Sequence, residues 1–464
     1  MRIPAWPQAV VTPLALAVLS LFGPSKQAAG EQKVVGAIEH ASADDIIVEW
    51  HQVSVTVQQA LEVAQATRHD IEHERLLSVM SRQHGEWTAN HPRHRLLDAL
   101  HGFSKYYERQ WVEVDRLRGL YKNVSPSQKK VVLLALCSRH SQLAPFLEEH
   151  LDYASKFRDV EQKLANNQHV CDDIVEASLA FYNISSEELQ KHMRDREAEG
   201  RQAERIPVSQ ALKHIVRDWT EEGDYERNGP FACVLGSLRR QFPERRTDVE
   251  DIRVLLPGAG LGRLGYDISR LGGFEVTINE WSMYMNAAFR FLETQQGQAL
   301  SQSVSPFVDG WSHHATNDNM LRALRFPDVA LPKQTVLMVE GDFTTEFRNY
   351  TQHFDVVLTY FFIDTARNLM SYFDTIKHVL KQGGIWMNLG PLLYGTAPFV
   401  QLTLEDVITV SEKMGFEFLE TDEQCGPRTF ATSTVRSIEA IYNFDHRALT
   451  KNAYKAQFWM ARKS

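Results

Sequence analysis

Four stretches of the chain carry residues whose types and spacing could do chemistry. In VLLPGAGLGRLGYDISRLG, Val254 to Gly272, an aliphatic run breaks at Gly258, Gly260 and Gly262 and then resumes as a helical pattern. Alternating glycines let the chain turn tightly and bring bare backbone against a ligand. Glu280 ends the next apolar run, EVTINE, where a carboxylate can accept both hydroxyls of a ribose. Each such charge-assisted bond contributes about 1.5–3 kcal/mol when desolvated. A third run ends in EGDF, from which Asp342 could reach an adenine amino group while Phe343 packs on the ring face. A fourth ends in TYFFIDTARN and sets Asp364 just past a row of aromatics. Burying an acid there is costly unless it is paired, which marks it as functional. The plainer alternatives are a structural turn, an acid at a helix start, a turn aspartate with a core phenylalanine, and a cap for a helix beginning near Thr365.

The glycine spacing is G-x-G-x-G, with Arg263 where the dinucleotide fingerprint places its third glycine. That is the form found in S-adenosylmethionine-dependent methyltransferases, whose donor has no pyrophosphate to cradle, and Arg263 speaks against a nicotinamide-dependent oxidoreductase. Around these residues the sequence alternates short β-rich runs with helical patterns, the grammar of βαβ units and a mostly parallel sheet. The expected strands are DIRVLLPG, EVTINE, QTVLMVEGDF, FDVVLTYFFID, GGIWMNLGP, FEFLET and YKAQFWMARK, the last antiparallel at or near an edge. Ligands of such sheets bind beyond the carboxyl ends of the strands, where all four stretches end.

Upstream, residues 46–205 read as helical, with amphipathic patterns in HERLLSVMSRQHGEW and YASKFRDVEQKLANNQHVCDDIVEASLAFY and a helix start at SPSQKK. Residues 206–464 carry the α/β pattern, and residues 1–45 form a leader. The leader has one early arginine and an apolar run from Ala9 to Phe22. It resembles a secretory signal peptide and falls short of the about 20 residues a membrane span needs. A net charge of −9 speaks against a nucleic-acid partner. The cysteines Cys137, Cys171, Cys233 and Cys425 form no CxxC pair. They read as reduced thiols, with neither a zinc site nor a disulfide framework. Asn123, Asn183 and Asn349 open N-x-Ser/Thr triplets.

The stretches LLPGAGLGRLGYDISRLG, NEWSMYMN, FPDV, GDF, FFIDTARN and GGIWMNLGPLLY, with HERLLSVM and VRDWTEEG upstream, resemble the carnosine N-methyltransferase (N2227-like) family. The resemblance implies an α/β, seven-strand class I methyltransferase (Rossmann-like) domain with an N-terminal helical domain. It implies methyl transfer from S-adenosyl-L-methionine to an imidazole nitrogen of carnosine, giving anserine, and no metal. It sets the donor against His214, Arg217, Gly258, Glu280, Asp342, Phe343 and Tyr360. It makes Asp364 the catalytic, substrate-binding aspartate and puts Tyr442 and Tyr454 in the dipeptide site. Three positions depart from the family: His214 stands for a glutamine, Tyr360 for a cysteine, and Gly395 for a substrate-site histidine, a loss for which His446 could compensate. Gly395 keeps another acceptor, such as a protein histidine, as the alternative; a non-catalytic scaffold on the same fold is a further one. The expected partner is a small-molecule or peptide imidazole, with no stable membrane span and a homodimer left open. The expected location is the cytoplasm, with the nucleus as a second site, or the secretory pathway if the leader is a signal peptide.

Overall fold

The computed structural model describes residues 68–464 except 125–145, 247–249, 296, 333–334 and 396. The leader, the helix expected from Ser125 and Cys137 lie outside the described residues. The aliphatic runs become strands: β1 (Ile252–Pro257), β2 (Phe274–Glu280), β3 (Gln302–Val304), β4 (Leu324–Phe326), β5 (Val336–Glu340), β6 (Phe354–Tyr360), β7 (Leu380–Gly390), β8 (Phe416–Phe418), β9 (Arg436–Ile441) and β10 (Ala453–Lys463). The main sheet runs β5-β2-β1-β6-β7-β10-β8, and β9 pairs with β10 off that path. The pairs from β5 to β7 are parallel, and β10 is antiparallel to β7, β8 and β9. Helices cover both faces, so the central strands are buried along nearly their whole length.

From β1 the chain winds outward to β2 and β5, then returns to the other side of β1 for β6 and β7. That reversal leaves a crevice at the carboxyl ends of β1 and β6. Strand β9 and the separate β3–β4 pair are additions to the strands expected from sequence.

Residues Arg68–Ser464 form one compact unit. The helix Tyr153–Phe181 buries Leu164, Val170 and Ile174 in the same core as the helix Met283–Thr294, which follows β2. A polar tie joins the helices to the sheet: the Tyr182 hydroxyl donates to the Glu340 carboxylate at 2.8 Å, and Arg290 Nε donates to it at 2.9 Å. The helix Arg205–Trp219 buries Val208, Leu212, Ile215 and Trp219 and so turns His214 and Arg217 toward the crevice.

The cysteine expectation fails. Cys233, in the helix Asp224–Gln241, is joined by a disulfide to Cys425, in the turn Glu423–Cys425. Their separation of 192 residues gives no spacing signal; the fold brings together what the sequence keeps apart. Cys171 is a buried free thiol.

Candidate active site

Two glycines shape the turn after β1. Gly258 has φ +67°, and a Cβ there would stand 2.3 Å from the Phe362 ring. Gly262 has φ +77°, and a Cβ there would meet Ile278 at 2.9 Å. The first keeps the turn bare beside the crevice, and the second lets the helix Arg263–Ser269 lie against β2. Arg263 begins that helix and donates to Asp328 at 2.6 Å and to the Asp218 carbonyl at 2.9 Å. The Gly260 N–H donates to Glu280 Oε2 at 2.9 Å, and the N–H groups of Trp281 and Ser282 donate to Oε1 at 2.8 Å. Burial pushes the Glu280 carboxyl upward against these donors. Each carboxylate oxygen has room for more than one donor, so the position remains able to take hydroxyls.

A cavity of about 230 Å³ opens between the ends of β1 and β6 and is lined by His214, Arg217, Gly258, Glu280, Tyr360 and Tyr442, among others. Arg217 Nε donates to Asp218 Oδ1 at 2.9 Å, and Nη2 donates to His214 Nδ1 at 2.7 Å. Burial and the Arg217 guanidinium drive the His214 imidazole down to about 3. It is therefore neutral and accepts a bond, as a glutamine carbonyl would. Burial alone would raise Asp218, yet the Arg217 guanidinium beside it holds it below the usual carboxylate range. Its second oxygen accepts the Leu261 N–H at 3.3 Å, which fastens the helix Arg205–Trp219 to the glycine turn.

On the other side the crevice is aromatic. Phe361 stands at φ +51°, a conformation the surrounding packing must enforce in a non-glycine residue. Its ring stacks on Tyr442 at 5.2 Å, and Tyr454 meets Phe361 edge-on at 5.9 Å and Tyr442 at 6.0 Å. The Arg217 guanidinium lies 5.4 Å from the Tyr442 ring centre. Asp364 follows in the short turn Ile363–Thr365 and is 7% exposed. It accepts the Leu393 N–H at 3.1 Å, and among the described residues no cation pairs with it. Burial pushes its carboxyl up to about 6. Leu393 belongs to the loop after β7 that also holds Gly395, where an added Cβ would meet nothing within 4 Å.

The structure thus gathers His214, Arg217, Gly258, Glu280, Tyr360 and Tyr442 around one cavity. Tyr454 stands behind Tyr442, and Asp364 lies three residues beyond Phe361. Asp342 and Phe343 do not line the cavity. Asp342 caps the short helix Phe343–Glu346, accepting from the Thr344 N–H and hydroxyl at 2.7 Å. Phe343 is buried edge-on to Phe362 and Tyr372 at 5.6 and 5.7 Å. His446 is paired with Glu222 at 3.4 Å and does not line the cavity. Among the lining residues that a reading of the sequence did not single out are Asp218, Phe231, Met285 and Phe361. The first had a signal, its place next to Arg217.

Among the described residues, one group of metal-ligand type, His94, Asp98 and His192, brings its atoms within 4.8 Å of one another. Arg196 donates to both Asp98 oxygens, which fills that carboxylate with a fixed cation. No helix among the described residues is long and apolar enough to cross a membrane.

Residues 195–464 match the family model described as carnosine N-methyltransferase. A carnosine N-methyltransferase of Schizosaccharomyces pombe is 37% identical over 280 residues, covering 55% of this chain and 70% of the relative. That of Mus musculus is 33% identical over 244 residues, 51% of this chain and 60% of the relative. "Carnosine N-methyltransferase unmet" of Drosophila melanogaster is 30% identical over 267 residues, 56% of this chain and 55% of the relative. The match to the mouse and fly relatives therefore spans little more than half their length.

Proposed function

The chain belongs to the carnosine N-methyltransferase family, and from that premise we propose that it methylates an imidazole nitrogen of carnosine, or of a related histidine-containing dipeptide, using S-adenosyl-L-methionine. The donor side fits: a bare glycine turn held by the Glu280 carboxylate suits a nucleoside without a pyrophosphate, and the Arg217 guanidinium suits a carboxylate. When bound, S-adenosylmethionine supplies an activated methyl group on a sulfonium.

The chain's own residues then have three tasks. Glu280, the glycine turn and Arg217 hold the donor end. Phe361, Tyr442 and Tyr454 form flat walls for a planar heterocycle. Asp364 accepts the N–H of the ring nitrogen that is not methylated, which fixes the tautomer and turns the other nitrogen's lone pair outward. As positive charge grows on the ring, the carboxylate stabilises it, and afterwards it can take the ring proton and pass it to water. Alignment of the reacting atoms supplies up to about 7–11 kcal/mol in such reactions. Asp364, a buried carboxylate three residues beyond Phe361 with which no cation pairs among the described residues, is the observation that carries this reading.

The test is a methyl-labelled donor offered with carnosine, histidine, related dipeptides and cell extract, with the labelled product identified. Label on the carnosine imidazole is expected; label confined to protein, or on no acceptor, would overturn it. A second reading, methylation of a histidine within a protein, is favoured by the open space around Gly395, which lets a larger acceptor in. For location, the Cys233–Cys425 disulfide supports an oxidising compartment, hence the secretory pathway, over the cytoplasm. The exposed Asn183 and Asn349 of the glycosylation triplets are compatible with that placement.

A further inference from the structure

Trp281 directly follows Glu280, yet it is 56% exposed and does not itself line the cavity that Glu280 faces. It is not loose. The Arg95 guanidinium lies 3.6 Å from its ring centre, and Arg95 Nη2 donates to the Trp281 carbonyl at 2.7 Å. The Trp281 N–H in turn donates to Glu280 Oε1 at 2.8 Å. Arg95 comes from the helix Pro92–Ser104, whose start is fixed by Pro92 and by the His91 side chain accepting the Arg93 N–H. That helix lies outside residues 195–464, the part matched to the family. Arg95 and Trp281 also form one border of a second, larger cavity of about 580 Å³ beside the end of β2. Burial lowers the Arg95 guanidinium, and the charges of Asp342 and Glu280 act against that.

We propose that Arg95 is a donor-positioning residue, supplied by the helical region, that holds Trp281 as the outer wall of the nucleoside end of the methyl-donor site. The proposal rests on the reading that the donor sits against Glu280. Its physical content is twofold. The guanidinium plane stacks on the indole and fixes the ring's tilt. The bond to the Trp281 carbonyl fixes the backbone that donates to Glu280. A merely structural pair would change thermal stability and leave donor affinity alone.

The test measures affinity of the full-length protein for S-adenosylmethionine and S-adenosylhomocysteine by calorimetry and by indole fluorescence. Arg95→Ala is expected to weaken both ligands about tenfold and leave the acceptor KM at saturating donor unchanged. Arg95→Lys should recover only part, since an ammonium lacks the stacking plane. Trp281→Leu should cause a similar loss, and the double variant no further loss, because the arginine acts through the indole. Melting temperatures identify any variant that fails to fold, and Arg95→Lys then decides. Unchanged donor affinity in Arg95→Ala, or additive losses in the double variant, would overturn the proposal. A wild-type protein that binds neither ligand would instead overturn the donor reading beneath it.

Discussion

Replacing Asp364 with asparagine separates the acceptor chemistry from everything else the site does. The side chain keeps its shape and can still accept the Leu393 N–H through its carbonyl oxygen. What it loses is the charge that the proposed mechanism sets against the developing imidazolium. A hydrogen bond to a charged group contributes about 1.5–3 kcal/mol, which converts to a fall in kcat of about 10- to 150-fold. Donor affinity should not change, because Asp364 does not line the cavity that holds Arg217 and Glu280.

The same substitution should make the protein more stable. Burial raises the Asp364 carboxyl from 3.8 to about 6, so the folded state holds a proton that the unfolded chain has already released. The group's contribution is therefore intact below about pH 4 and is lost as pH rises through about 6. At about 1.36 kcal/mol per pH unit the bound is about 3 kcal/mol, and partial solvent access reduces it to about 1–2 kcal/mol. Asp364→Asn, which has no charge to bury, should regain that amount at pH 7.5 and nothing at pH 4. Turnover with carnosine, donor calorimetry and chemical denaturation at the two pH values make the assay. In the wild type the rate should rise with pH through the Asp364 and acceptor ionisations; the variant should keep only the acceptor's. Unchanged turnover, or lost donor affinity, would refute the assignment.

Glu280→Gln removes the charge that holds the Gly260 N–H and faces the crevice, and calorimetry should show donor affinity reduced about 10- to 100-fold. Gly395→His introduces a polar ring where a Cβ meets nothing within 4 Å; if carnosine is the acceptor, steady-state kinetics should show its KM lowered about 3- to 10-fold. Cys233→Ser should lower stability by about 2–4 kcal/mol, read by denaturant unfolding. Thiol labelling of the unfolded, unreduced wild type should find two of the four cysteines, and all four after reduction.

What the sequence made legible is local. The parallel strands appear as short aliphatic runs because a sheet covered on both faces buries nearly every residue. Gly258 and Gly262 appear because positive φ and close approach leave a permanent mark on residue type. Glu280 could be placed because its distance from the turn follows from one βαβ unit. Contacts made across long separations left no such mark. Cys233 and Cys425 meet over 192 residues, Arg95 reaches Trp281 across 186, and Phe361 stacks on Tyr442 only because β9, itself missed, runs beside β10. Asp342 and Phe343 show the converse. Their types suited an adenine, but the same types suit a helix cap and an aromatic core, and the described contacts are of that plainer kind.

The acids of the cavity and Asp364, which lies outside its lining, differ in what they hold unsatisfied, and the difference bears on the proposed mechanism. Asp218 has Arg217 and a backbone N–H, and Glu280 has three backbone donors. The proposed donor side is therefore electrostatically settled before a ligand arrives and needs little rearrangement to bind one. Asp364 accepts from backbone N–H groups, Leu393 among them, and no cation pairs with it among the described residues. Its charge is costly in the buried site, and in the proposed reaction it is relieved as a neighbouring ring becomes positive. A carboxylate of that kind discriminates between a neutral ground state and a cationic transition state, because its gain grows with the charge that the reaction creates. Pairing it with a fixed cation would stabilise the fold and remove that discrimination. A lysine or arginine introduced within reach of Asp364 should therefore raise stability above pH 6 while lowering turnover, the opposite of what a structural acid would show.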